Sequence, residues 1–229
     1  DAFRYNFNLK SDFINAFAQG QFKYNKVDFF AAVKVSQITN QREGLYKNGR
    51  FENNSLGASE KISFTNYGLK TGATYKINGR NLIDANVAYL TQAPTIRNSF
   101  SNSRENNNIV EDLQSEKVFS ADASYIRRSP IVTARVTAYY TSIKDATEIS
   151  FYFADGVGGD NTAFVQEIVS GIKKKQLGLE LGIEAQVTAT IKLKGAAAIG
   201  SFVYANNPNL YLTSDVTNEG IFDEKGRSG

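Results

Sequence analysis

Residues 11–37 read SDFINAFAQGQFKYNKVDFFAAVKVSQ. From 11 to 24, Ile14, Ala16, Ala18, Phe22 and Tyr24 share one alternating set, and Asn15, Gln19, Gln21 and Lys23 the other. From 27 to 37, Val27, Phe29, Ala31, Val33 and Val35 alternate with Asp28, Lys34 and Ser36. A period of two places successive side chains on opposite faces of a strand. A two-residue turn at Asn25-Lys26 sets Tyr24 against Val27 and Phe22 against Phe29, so the two apolar faces coincide. A slip of one residue would destroy that match, and the agreement of register with pattern defines a hairpin.

The unit recurs along the chain. Tyr67, Leu69, Thr71, Ala73, Tyr75 and Ile77 share a face before Asn78-Gly79-Arg80, a strong turn signal. Ile83, Ala85, Val87 and Tyr89 follow. Phe119, Ala121, Ala123 and Tyr125 lead to a turn at 128–130, and Val132, Ala134, Val136, Ala138 and Tyr140 return. Leu177, Leu179, Leu181, Ile183 and Val187 lead to a turn at 188–190, with a returning strand to about Tyr204 and a bulge expected near Gly195. Residues 3–9, 146–153 and 164–172 also read as strand. The pattern predicts eight to ten antiparallel strands, several longer than the ~9–11 residues that cross a bilayer.

The connections are unequal. Short turns fall at 25–26, 78–80, 128–130 and 188–190, and long polar segments at about 41–60, 92–115, 154–163 and 207–229. Short turns at one end and long loops at the other are the signature of an outer-membrane barrel. Tyr24, Tyr75, Tyr125 and Tyr140 lie on the apolar face near strand ends, which predicts a membrane girdle of aromatic rings. No segment approaches the ~20 apolar residues of a membrane-spanning helix.

Composition excludes most catalysis. The chain has no His and no Cys. It therefore cannot build a Ser-His-Asp site, a thiol nucleophile or a metal centre of His and Cys ligands. An outer-membrane protease or phospholipase that works through His is excluded with them. Charge is nearly balanced at +3, and its only basic run, 173–175, predicts a solvated strand end rather than a nucleic-acid surface. Glu111-Asp112 and Asp223-Glu224 sit in polar loops without further ligands at fixed spacing. Asp155-Gly156-Val157-Gly158-Gly159-Asp160 lacks the alternating ligands and closing Glu of a calcium loop. The expectation is a non-enzyme with no catalytic residue, no metal and no cofactor.

Several pieces, in order, resemble the barrel of TonB-dependent outer-membrane receptors. LTQAPTIRNSF (90–100) resembles the strand end and loop start that carry an Ala-Pro-Ser/Thr motif, with Thr91 where the family has a basic residue. LQSEK (113–117) resembles the entry to the next strand, AYYTSIKD (138–145) a Tyr-Tyr strand ending in Asp, and LGLELGIE (177–184) a Gly-x-Glu strand. Ala16-Phe17-Ala18-Gln19, with Arg42 and Tyr46, resembles the preceding hairpin. The resemblance covers about residues 10–205, and the Asn, Lys and Tyr usage is of Bacteroidota type.

The resemblance implies an all-β fold: an antiparallel transmembrane β-barrel of 22 strands, of which residues 1–229 supply one partial set. It implies a bacterial outer-membrane location and import of a siderophore, glycan or peptide. Neither a plug nor a TonB box stands among these residues. The implied partners are bilayer lipid, a plug domain with the remaining strands, a TonB-type energy transducer and a surface lipoprotein, with no nucleic acid. Ligand contacts in the family come from extracellular loops, which points to Arg42, Tyr46, Arg97, Phe100, Arg104, Tyr152 and Phe153. Arg135, Glu180, Glu184 and Lys192 fall on the polar face and are expected to line the lumen. The alternative left open is a small self-closed barrel, a porin or a structural surface protein.

Overall fold

A computed structural model describes residues 5–155, 162–214 and 222–225. Among them the only helical piece is a three-residue 3-10 turn at Ile96–Asn98. The strands are β1 (Phe7–Lys23), β2 (Val27–Gly44), β3 (Gly57–Ala58), β4 (Ile62–Lys76), β5 (Asn81–Gln92), β6 (Glu116–Arg128), β7 (Val132–Asp155), β8 (Thr162–Gln186), β9 (Lys192–Tyr204), β10 (Asn209–Ser214) and β11 (Phe222–Lys225). They form one sheet in the order β1-β2-β4-β5-β6-β7-β8-β10-β11, with β3 beside β2 and β9 beside β8. Every pairing is antiparallel. Among the described residues the sheet is open, since β1 pairs with β2 alone.

The first hairpin has the expected register. Phe22 faces Phe29 with rings stacked at 4.9 Å, and the Tyr24 amide donates to the Val27 carbonyl at 2.9 Å. Tight turns at 78–80 and 188–190 also stand where the pattern put them, while the third covers 129–131. Apolar partners then continue across the sheet: Val27 to Tyr75, Tyr75 to Ile83, Ile83 to Tyr125, Tyr125 to Val136, Val136 to Leu181 and Leu181 to Ala197. One whole face is therefore apolar, and nothing in the described chain covers it. Leu69, Leu177 and Leu179 are each more than half exposed. In water, so wide an uncovered apolar face marks an interaction surface.

Two tiers of rings bound this face. Tyr24, Tyr75 and Tyr125 lie toward the short turns, and Tyr67, Tyr89, Phe119 and Tyr140 lie toward the long loops. Tyr67 and Tyr89 are 6.2 Å apart between ring centres, and Phe119 and Tyr140 are 6.3 Å apart. From Tyr67 to Tyr75 the strand advances about 27 Å, or about 21 Å of height at the ~40° tilt of a barrel strand. Tyr140 thus belongs to the loop-side tier, while the other three expected girdle residues occupy the turn side.

Several boundaries differ from the sequence expectation. Residues 146–153 and 164–172 are not separate strands; they are the upper parts of β7 and β8, which run for 24 and 25 residues. Lys173–Lys175 accordingly lie within β8 and not at a strand end, because β8 runs on past them to Gln186. No bulge occurs near Gly195, where β8 and β9 pair without interruption from Lys192 to Tyr204. The small residues there hide the alternation but leave the backbone regular.

The irregularities lie at Ile143–Glu148, where Asp145 has φ of 60° and Gly171 on the opposing strand has φ of 71°. Gly171 carries no Cβ, so that left-handed conformation costs it little. Part of the expected 207–229 loop is strand. β10 continues β9 along β8 after a break at 205–208, where Asn206 accepts from the Lys173 amide and donates to the Gly171 carbonyl, both at 2.8 Å. Residues 156–161, with most of the Asp155–Asp160 run, lie outside the described residues.

Candidate loop cluster and lumen wall

The well-packed interior of this chain sits at the loop end. Phe64, Phe100, Val110, Val165, Ile168 and Ile172 are buried there. Segment 93–115 folds back on itself through the Phe100–Ile109 bridge. It docks on the upper β7–β8 hairpin, where Asn98 Nδ2 donates to the Thr147 carbonyl at 2.8 Å and Gln166 Nε2 to the Ser101 carbonyl.

Arg42 joins that segment to the 45–61 loop. Its side chain is almost wholly enclosed, at 1% exposure. Nε donates to the Ser103 carbonyl at 2.7 Å, and one terminal nitrogen donates to the Ser55 carbonyl at 3.0 Å and to Asn107 Oδ1. The guanidinium also lies 5.5 Å from the centre of the Phe7 ring. Burial lowers the Arg42 pKa from its ordinary value, but a guanidinium keeps its charge in any protein setting. A buried charge is tolerable when its donors are met, and here Nε and one terminal nitrogen are met by carbonyl oxygens of two loops. The Asn107 amide donates to the Asn54 carbonyl at 2.8 Å and strengthens the same junction.

Beside this junction is an open cavity of about 730 Å³. Tyr46, Arg104 and Phe153 line it, together with Tyr5, Arg50 and Phe164. The Arg104 guanidinium stands 5.5 Å from the Tyr5 ring centre, and Arg50 forms an ion pair with Glu105 at 3.6 Å. Phe164 packs against both Phe151 and Phe153, with ring centres 5.9 and 5.0 Å apart. Aromatic faces and guanidinium groups together are suited to holding planar or anionic ligand groups.

The structure thus brings together three of the seven expected ligand residues: Tyr46, Arg104 and Phe153. Arg42 and Phe100 are buried and shape the loops. Arg97 is exposed on the 3-10 turn, away from the cavity lining. Tyr152 points to the opposite side of its strand from Phe153, and its hydroxyl donates to Glu167 at 3.1 Å. Sequence reading missed Tyr5, Arg50 and Phe164. The Phe153–Phe164 pair was available in the hairpin register once 146–153 and 164–172 are joined across their tip.

The polar face carries two groups of polar contacts. Asp84 accepts from Thr74 at 2.6 Å and from Asn86 at 3.0 Å, and Asn86 donates also to Asp122 at 3.0 Å. Arg135 donates to Ser124 at 3.0 Å and stands 3.7 Å from Asp84. Glu184 pairs with Lys192 at 2.7 Å and Lys194 at 3.1 Å. Glu180 and Arg135 line a shallow hollow over the small residues Ala196–Ala198. Glu111 and Asp112 are exposed, and no group of three or more potential metal ligands occurs among the described residues.

With this geometry in place, one comparison is informative. The sheet is similar to part of the copper transporter OprC. The match has a TM-score of 0.61 at 15% identity, and covers 88% of this chain and 32% of that one. The chain therefore spans about a third of the transporter's length, and the likeness at this identity is one of fold. No family model matches the sequence, and no curated protein matches it either. The fold is an open, antiparallel, all-β sheet of the kind that forms part of an outer-membrane barrel.

Proposed function

We propose that this chain is part of the barrel wall of a TonB-dependent importer in a bacterial outer membrane. The observation that carries the reading is the uncovered apolar face, bounded by two tiers of aromatic rings about 21 Å apart, near the ~25 Å apolar band of such barrels. The rings act as interfacial girdles, with Tyr24, Tyr75 and Tyr125 on the periplasmic side and Tyr140 on the outer side. The polar network faces the lumen. The order of the receptor-like motifs and the copper transporter's similar sheet support the family.

A plug domain and further strands complete the barrel in this reading, a TonB-type transducer supplies energy, and a surface lipoprotein assists at the loops. The ligand is a siderophore, glycan or peptide caught at the loop cluster by Tyr46, Arg104 and Phe153, and the sequence style is of Bacteroidota type. Lack of pairing between the outer strands of this sheet, among the described residues, favours a wall continued by other strands over a small self-closed barrel. The test is uptake by cells carrying the whole protein. Accumulation that collapses when the inner-membrane proton gradient is discharged supports the reading; uptake indifferent to the gradient refutes active import. A closed, heat-modifiable barrel formed by residues 1–229 alone refutes the partial wall.

A further inference from the structure

A second concavity lies on the polar face, under residues 93–96. Its volume is about 640 Å³, within the ~300–1,000 Å³ of ordinary small-molecule sites. Phe13, Phe17, Leu90 and Ile96 give it an apolar lining, which is unexpected on the face that carries the charge network. Lys34 and Lys70 stand in its wall on neighbouring strands, since Lys34 is opposite Gly68 and Lys70 opposite Ala32.

The two lysines differ from the ion-paired cations of this face. Lys76, Arg135, Lys192 and Lys194 each have a carboxylate within 4 Å. Lys34 and Lys70 make no ion pair among the described residues. Each instead stands over a ring, Lys34 at 5.8 Å from the centre of Phe13 and Lys70 at 5.7 Å from that of Phe30. Asn66 adds an independent sign: it also lines the cup, is 4% exposed, and its Oδ1 has no hydrogen-bond partner. A buried acceptor without a donor is costly, and an entering N–H or O–H group is suited to relieve it.

We propose that this cup binds a small apolar carboxylate that also carries a hydroxyl or N–H donor. The carboxylate sits between Lys34 and Lys70, the body lies on Phe13, Phe17 and Leu90, and the donor meets Asn66. Charge complementarity selects this occupant, because two unpaired cations beside an apolar surface match an amphiphilic anion better than a neutral one.

The test uses the whole protein in detergent, with hydroxynaphthoate as probe and hydroxynaphthamide as its neutral counterpart, both followed by fluorescence. The acid binds more tightly than the amide, and the Lys34→Gln/Lys70→Gln variant weakens the acid about tenfold or more while leaving the amide unchanged. Lys34→Arg/Lys70→Arg keeps the preference and shows that the wall still folds. Equal affinity of acid and amide, or an unchanged affinity in the Gln variant, overturns the site.

A Leu90→Cys variant in a cysteine-free background separates a ligand from a protein segment as occupant. Labelling by a thiol reagent, blocked by the acid, supports the cup. A thiol closed to the reagent without any probe assigns the space to another part of the protein and overturns the proposal. Binding is read at equilibrium, so a failure of energised uptake leaves this result standing.

Discussion

The Tyr139 hydroxyl lies 2.5 Å from the point that a Cβ at Gly178 would occupy, and 3.0 Å from the same point at Gly200. Tyr139 is paired with Gly178, and Gly178 with Gly200, so one ring lies across two strands on the polar face. Glycine at both positions leaves the floor on which the ring rests. Gly178→Val forces the ring away and is expected to destabilise the sheet by about 1–3 kcal/mol. Urea unfolding of the whole protein checks this, and Tyr139→Ala in the same background should remove only the part due to the ring, because the Ile199 carbonyl also lies 2.8 Å from that point.

Arg42 makes a different prediction, because it holds loops and not the wall. Arg42→Ala leaves the carbonyls of Ser55 and Ser103 without donors, at about 2–4 kcal/mol locally. The 93–115 segment then opens, and trypsin should cut at Arg97 and Arg104 many times faster, with the strands of the sheet still protected. Unchanged cleavage rates would show that the loops stand without it.

Leu179 and Glu180 are neighbours on β8 that face opposite ways. Leu179→Arg places a charge in the middle of the apolar face and should cost about 2–4 kcal/mol of folding into vesicles. Glu180→Arg places the same charge on the polar face and should cost far less. Equal penalties would contradict the assignment of lipid and lumen sides.

Glu116 lies beyond Phe119 on the loop side, outside the apolar band. Burial pushes its carboxyl above the ordinary carboxylate range; Lys174 opposes the shift and Glu148 adds to it. The folded chain therefore holds this proton more tightly than the unfolded chain does. Its contribution is fully present below the ordinary carboxylate pKa and is lost as pH rises through the raised folded value. Glu116→Gln should flatten that fall, seen as a urea midpoint that declines less between mildly acidic and neutral pH. A variant with the same decline would move the effect to another group.

Hairpins were legible in the sequence wherever large apolar residues alternated with polar ones, as in Phe22–Phe29 and Tyr75–Ile83. Legibility failed where side chains ceased to report the backbone. Gly195 to Ala198 are too small to show which face they occupy, so a regular strand resembled an irregular one. Lys173–Lys175 looked like an end because charge usually marks one, yet β8 is long enough, at 25 residues, to carry charge in its middle. The loop cavity was half legible: Tyr46, Arg104 and Phe153 belong to chemical types that a binding loop favours, whereas Tyr5 and Arg50 join them only through tertiary folding. No sequence signal distinguished Arg42 from them, since a buried guanidinium and an exposed one are spelled alike.

The two irregularities near Asp145 and Gly171 have a consequence for the wall. The extra residue on β7 is followed by an extra residue on β8, so Val132–Ala185 below and Asp155–Thr162 above keep the same offset. The slips cancel, so the ladder above them returns to the register it has below. A residue gained on one strand and matched by a residue gained on the other leaves the rest of the wall in mesh, which makes this level of the hairpin a natural place for change to accumulate on an old frame.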